Sequence, residues 1–253
     1  MKTINNVEVY VTGSGPEAVV MFHDIFGLHT GRHKQIADEL ASRDLTVVVP
    51  DFFGNESSEF AGGLNKKEER GYGGGLARFM YLLISGKFKA FRQQHPWDPV
   101  CKKIWVDTIA PYVKNDLKCT SVGLLSFCWG AYPAVHATAL NPPASNLPVR
   151  ANVCFHPSFD RTAANWSEDQ EQLVKAAGKI PTLIVATGME SKDWKPEGQA
   201  HQWMKESGNN VKWVETKQKH GFMTRGDMTG DLELAKDIEK YLEEAIVMLK
   251  KAN

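Results

Sequence analysis

The sequence predicts an α/β protein, a doubly wound and mostly parallel sheet flanked by helices on both faces. Three observations carry this. Short apolar runs rich in β-branched residues alternate along the chain with stretches of helical spacing. Residues 18–22, 31–43 and 45–49 read as strand, helix and strand, a βαβ unit that requires a parallel pair. From residue 122 onward each strand-like run ends in a loop carrying a reactive or turn-forming residue, and ligands of open α/β sheets bind beyond the carboxyl ends of the strands.

Taken in order, residues 7–11 form a short strand followed by the turn Gly13-Ser14-Gly15-Pro16. The run Ala-Val-Val-Met-Phe at 18–22 is a buried strand ending in His23-Asp24-Ile25-Phe26-Gly27. Helix 31–43 shows its apolar stripe at Ile36, Ala37, Leu40 and Ala41, and strand 45–49 closes on Pro50-Asp51. Residues 52–118 contain no evident strand; helices are expected over 76–91 and 99–113, with a loop and helix excursion near the site. Its glycines (Gly71, Gly73, Gly74, Gly75) lack the Lys-Ser/Thr pair of a phosphate loop and read as a plain loop. Then follow strand 122–126, a helix from Ala131, strand 151–155, helix 166–177, strand 182–186, helix 198–207, strand 211–215 and a long amphipathic helix 232–249. No linker or composition break divides the chain, so residues 1–253 are expected to form a single domain.

Composition narrows the function. Thirty basic and thirty acidic residues balance, which argues against an electrostatic role on nucleic acid or a membrane surface. The four cysteines show no Cys-x-x-Cys spacing, so neither a zinc site nor a disulfide framework is expected, and no cofactor is called for. Reduced thiols, a polar N-terminal stretch and the lack of a long apolar run give a cytoplasmic location as the expectation. A small-molecule substrate is the expected partner, for a monomer or homodimer.

The chemistry centres on Ser126-Phe127-Cys128-Trp129-Gly130. A buried strand turns sharply at Cys128 into a helix, and the crowding at such a turn demands small residues two before and two after the apex. Ser126 and Gly130 meet that demand, as in the nucleophile elbow of the α/β-hydrolase fold, with Cys where Ser is usual. Ser126 itself has Leu124 two residues before it and is badly placed for the apex. A thiol needs an imidazole to take its proton, and the imidazole needs a carboxylate to fix its tautomer. His220 follows the last strand; Asp193 and Glu190 follow strand 182–186. Asp193 is preferred as the acid because Pro196 suits the turn into the next helix, with Glu190 as its rival. The order nucleophile, acid, base is the one this fold requires. Trp129, next after the nucleophile, and Ile25, in the loop after the early strand, are the expected oxyanion donors. His23 is expected to shape that loop and His156 to border the pocket. Phe26, Phe52, Phe53, Trp129 and Phe222 are expected near its mouth. A second reading keeps the fold without turnover, with Cys128 as a redox-responsive thiol.

His23-Asp24-Ile25-Phe26-Gly27, Val47-Val48-Val49-Pro50-Asp51, the Cys128 elbow, the stretch from Gly188 to Pro196 and His220-Gly221-Phe222 together resemble the dienelactone hydrolase family, over nearly the whole chain. The resemblance implies a cysteine-dependent ester or lactone hydrolase with Cys128, Asp193 and His220 as triad and Ile25 and Trp129 as oxyanion donors. Asp24 stands where the family has a Glu that contacts the resting thiol, so it is expected to activate or gate Cys128. The family's lactone hydrolases use two arginines for the substrate carboxylate; the counterparts expected here are Arg78 and Arg225, with Thr224 at the position of the second.

Overall fold

Eight strands form one sheet in the order β1-β2-β4-β3-β5-β6-β7-β8, in a computed structural model that describes residues 1–54, 86, 93–140, 146–163, 167–208 and 211–251. The strands are β1 (Lys2–Ile4), β2 (Val7–Thr12), β3 (Glu17–Phe22), β4 (Leu45–Pro50), β5 (Val122–Phe127), β6 (Val149–Phe155), β7 (Thr182–Thr187) and β8 (Val211–Thr216). All pairings from β4 across to β8 are parallel, whereas β1 and β2 are antiparallel at one edge. The β1–β2 hairpin was not anticipated. Its turn is Asn5-Asn6, both with positive φ (48° and 66°), the backbone a two-residue hairpin needs.

Side chains alternate strictly on the central strands, and both faces are buried. Val20, Phe22, Leu124 and Ile184 enter one layer, with Trp105, Ile109, Val174 and Met204. Val19, Met21, Leu125, Phe127, Val185 and Phe155 enter the other, with Ile36, Leu40, Ile238 and Leu249. Two-sided burial explains why these strands are continuous apolar runs rather than half-polar ones, each buried Val or Leu contributing about 1.5–3 kcal/mol. The first layer is covered by α2 (Ala131–Ala139), α4 (Gln170–Ala177), α5 (Gln199–Glu206) and residues 97–116. The second is covered by α1 (His33–Ser42) and α6 (Leu232–Lys251), while a short α3 (Phe159–Ala163) follows β6. Helix α6 lies so close on β5 that a Cβ at Gly123 would fall 2.6 Å from Leu249 Cδ2.

Two expected helices differ. Residues 97–116 wind as three π-helical segments, Trp97–Cys101, Ile104–Ile109 and Tyr112–Asp116. Helix α4 begins at Gln170 because Asp169 caps it, accepting a hydrogen bond from Gln172 N–H at 3.0 Å. The helix expected at 76–91 lies outside the described residues. Among the described residues no helix is long and apolar enough to cross a membrane.

Candidate active site

Cys128 stands at the apex between β5 and α2 with φ +53°, a left-handed backbone that costs a non-glycine residue about 1–3 kcal/mol. The crowding expected at the flanks is present. A Cβ at Gly130 would meet Phe22 O at 2.3 Å and His23 O at 2.6 Å. Ser126 is fully buried beneath the turn and donates to Val153 O at 3.2 Å. Its hydroxyl also lies 2.9 Å from Cys154 Sγ. Burial holds the Cys154 thiol up at about 11 and raises that of Cys101 further, so neither is a nucleophile.

His220, in the loop after β8, lies beside Cys128, near enough for each to shift the proton affinity of the other. On its other side, His220 Nδ1 lies 2.5 Å from Glu190 Oε1. Desolvation opposes charge on each of the three groups, and their mutual attraction wins. The thiol of Cys128 is lowered below its ordinary value by the charge and hydrogen bond of His220. The imidazole is raised to about 10 by Cys128 and Glu190, and Glu190 is held at about 2 by His220 and the Thr187 N–H. The arrangement favours a resting thiolate–imidazolium pair braced by a carboxylate.

The acid is therefore placed differently from expectation. The loop after β7 turns back at once, so that the Thr187 N–H donates to Glu190 Oε2 and aims the other oxygen at His220. Asp193 lies in the next turn, Lys192–Trp194, where Trp194 inserts into the core against Phe159 and Trp213 and leaves Asp193 exposed. Burying the indole fixes that turn, and Pro196 does not decide it.

The early loop carries the remaining expected residues. Phe22 pairs with Ser126 in parallel register, so Ile25 and Trp129 follow neighbouring strand ends, as two oxyanion donors require. His23 shapes this loop as expected: its Nδ1–H donates to Asp24 O at 2.8 Å and its Nε2 accepts from Phe52 N–H at 3.1 Å. Asp24 has partners other than the thiol. Its carboxylate accepts from Phe26 N–H at 2.9 Å and Thr224 Oγ1–H at 2.9 Å, and faces Arg225 Nη2 at 3.4 Å. Burial opposes its charge, but Arg225 and these donors keep it well below the usual carboxylate range. Its charge raises the Cys128 thiol, so in this arrangement it opposes the thiolate rather than promoting it.

Arg225 stacks over Phe26, with Cζ 4.1 Å from the ring centroid, and donates to Thr30 Oγ1 at 2.9 Å. Its loop is pinned by Arg32, whose guanidinium donates to the carbonyls of Phe222, Met223, Arg225 and Gly226, an anchor the sequence did not announce. Phe222 is not at the mouth. It is fully buried in the α6-side layer, against Phe155, His156 and Tyr241. Arg78 lies outside the described residues. His156 borders the site as expected, its ring 4.8 Å from that of His220. Ser158, two residues on, was not foreseen; its hydroxyl lies 3.7 Å from Cys128 Sγ.

A cavity of about 370 Å³ lies against Phe52 and Phe53, lined also by Glu8, Asp51, Gln94 and His95, and it contains no member of the Cys128 relay. One group among the described residues has donor atoms close enough to hold a metal ion: Glu8, His29 and Asp51, within 4.8 Å of one another. Its members are already engaged, Glu8 with His29 at 2.9 Å and Asp51 with the Phe53 N–H at 3.0 Å.

A doubly wound sheet with a strained cysteine at a strand-to-helix elbow, an imidazole and a carboxylate from successive later loops defines an α/β-hydrolase-fold protein. The chain belongs to the dienelactone hydrolase family, whose profile matches residues 7–252. It is 27% identical over 157 residues to a carboxymethylenebutenolidase homolog of Rattus norvegicus, covering 60% of this chain and 53% of that protein. It is 28% identical over 180 residues to an AIM2 family protein of Schizosaccharomyces pombe, covering 63% and 64% of the two. The chain thus spans between half and two thirds of the length of these relatives. Among solved structures, a Klebsiella pneumoniae protein assigned to the dienelactone hydrolases superposes with a TM-score of 0.62 at 16% identity, covering 97% of this chain and 93% of that one. Est1E of Butyrivibrio proteoclasticus, with ferulic acid bound, superposes with a TM-score of 0.56 at 12% identity over 94% and 96%. At these identities the likeness is one of fold.

Proposed function

We propose that this chain hydrolyses small carboxylic esters or lactones through a thioester on Cys128. The observation that carries the reading is Glu190 held on His220 Nδ1, with Cys128 and His220 near enough to lower the thiol and raise the imidazole. The thiolate attacks the carbonyl carbon; a lone pair on sulfur forms the S–C bond and the carbonyl π pair moves to oxygen. The Ile25 and Trp129 N–H groups receive that oxyanion. As the intermediate collapses, the C–O bond breaks and imidazolium His220 gives its proton to the departing oxygen. Neutral His220 then takes a proton from water, the hydroxide adds to the thioester, and the S–C bonding pair returns to sulfur as thiolate. Glu190 keeps the tautomer that allows both transfers.

The name of the carboxymethylenebutenolidase homologs is that of an activity on a lactone bearing a carboxylate, which supports such a substrate here. Arg225 beside Asp24 is the cation such a group would meet, with Phe26 as a flat wall under it. A cytosolic setting fits a reactive reduced thiol. The redox reading shares the lowered thiol but has no use for Glu190, and the hydrolytic reading explains both. The test is hydrolysis of small aryl esters and lactones by the wild type and Cys128→Ala, with mass spectrometry for an acyl adduct on Cys128. Loss of turnover in the variant and an adduct in the wild type are expected. Undiminished activity in Cys128→Ala excludes the nucleophile.

A further inference from the structure

Strands β5 and β6 run parallel with Phe127 opposite Phe155, so the residues beyond them emerge side by side. Cys128 turns left-handed at φ +53°, and His156 does the same at φ +40°. Its N–H donates to Val185 O at 2.8 Å, which ties this second bend to β7. The chain then doubles back over the elbow. Ser158 N–H donates to Cys128 O at 2.9 Å, and Ser158 O accepts from Thr162 Oγ1 at 2.9 Å, which fixes Ser158 from both sides. Its hydroxyl is left beside the nucleophile, Oγ 3.7 Å from Sγ.

The geometry points to the Ser158 hydroxyl as a further catalytic residue, donating a hydrogen bond to the Cys128 thiolate beside the one from His220. This rests on the reading of Cys128 as nucleophile. His220 gives its proton to the departing oxygen and regains one from water, so its own contact with the sulfur is interrupted in every turnover. When the thioester breaks down, the S–C pair returns to sulfur, and a donor with no proton to surrender stabilises it there. Ser158 is such a donor. Its O–H···S bond is released as the S–C bond forms and remade as that bond breaks, and its proton stays on Oγ throughout. A hydroxyl donor of this kind also favours thiolate over thiol at rest.

The test reads the sulfur directly. The rate of iodoacetamide alkylation at Cys128 is followed by mass spectrometry from pH 5 to 10 in the wild type, Ser158→Ala, and the near-isosteric pair Ser158→Thr and Ser158→Val. In the Ala and Val variants the rate midpoint moves to higher pH, and alkylation at pH 6 slows roughly tenfold, the worth of one hydrogen bond to a charged group. The limiting rate at high pH is retained, and Thr restores the wild-type midpoint. An unchanged midpoint in Val or Ala, or an equal shift in Thr and Val, overturns the role of the hydroxyl. If Ala fails to fold, the Thr–Val comparison still decides. A wild-type Cys128 that titrates as an ordinary thiol would instead overturn the reading of the nucleophile itself.

Discussion

The Glu190 carboxylate lies 2.5 Å from His220 Nδ1, while Asp193, three residues further on, is exposed. Glu190→Gln removes the charge that holds the imidazolium and can present an amide N–H to Nδ1, the wrong partner for the working tautomer. We expect kcat on an aryl ester to fall roughly a hundredfold or more. Asp193→Asn should change it by less than about a factor of two, as a surface substitution does. Steady-state kinetics of the two variants side by side check the assignment; the reverse order would restore Asp193.

The buried imidazoles set a sign for stability against pH. His156 and His33 are desolvated, with folded pKa values of about 3 and about 4, below the unfolded value of about 6.5. Their contribution is complete above pH 6.5 and is lost as pH falls toward 4 and 3, because the unfolded chain binds the extra protons. His220 acts in the opposite sense: its folded value of about 10 lies above the unfolded one, so its contribution is complete below about pH 6.5 and is lost as pH rises toward 10. Urea midpoints should therefore decline between pH 6.5 and 4.5, before most carboxylates titrate. His156→Phe keeps a ring against His220, Phe127 and Phe222 and should flatten that decline. An unchanged slope would mean that His156 is not kept neutral.

The elbow stores strain that can be released. At φ +53° Cys128 occupies backbone that glycine adopts freely. Cys128→Gly and Cys128→Ala both lack sulfur, so their difference isolates the backbone. The Gly variant should be the more stable by about 1 kcal/mol, while both are inactive. Gly130→Ala has the opposite sense, because its Cβ would press on Phe22 O at 2.3 Å, and should cost about 3 kcal/mol or more. Thermal melts of the three variants rank them.

What could be read in advance follows from how local each feature is. The central strands were legible because two-sided burial writes itself as unbroken apolar runs, and the elbow because Ser126 and Gly130 must be small for reasons confined to a few residues. Placing His220 needed only its position after β8. The choice between Glu190 and Asp193 was not local. It depends on Trp194 entering the core and on Glu190 reaching back to the Thr187 N–H. Phe222 is two residues from His220 in sequence, yet its ring goes to the far layer, against Tyr241 of α6. Ser158 was invisible because a left-handed bend at His156 brings it to the sulfur, and no spacing rule announces that bend.

Asp24 and Arg225 form an enclosed opposite-charge pair near His220, with side chains 2% and 14% exposed and 3.4 Å apart. Removing the cation alone leaves a buried carboxylate whose remaining donors are the Thr224 hydroxyl and the Phe26 N–H. Arg225→Gln should therefore cost about 3 kcal/mol, and Asp24→Asn added to it should recover part of that loss, a coupling that a double-mutant cycle of urea denaturation measures. The same variant tests recognition. With Arg225 gone, KM for a carboxylate-bearing ester should rise while that for its neutral methyl ester stays near wild type, because only the anion loses a partner. Equal effects on the two substrates would assign Arg225 to bracing Asp24 alone.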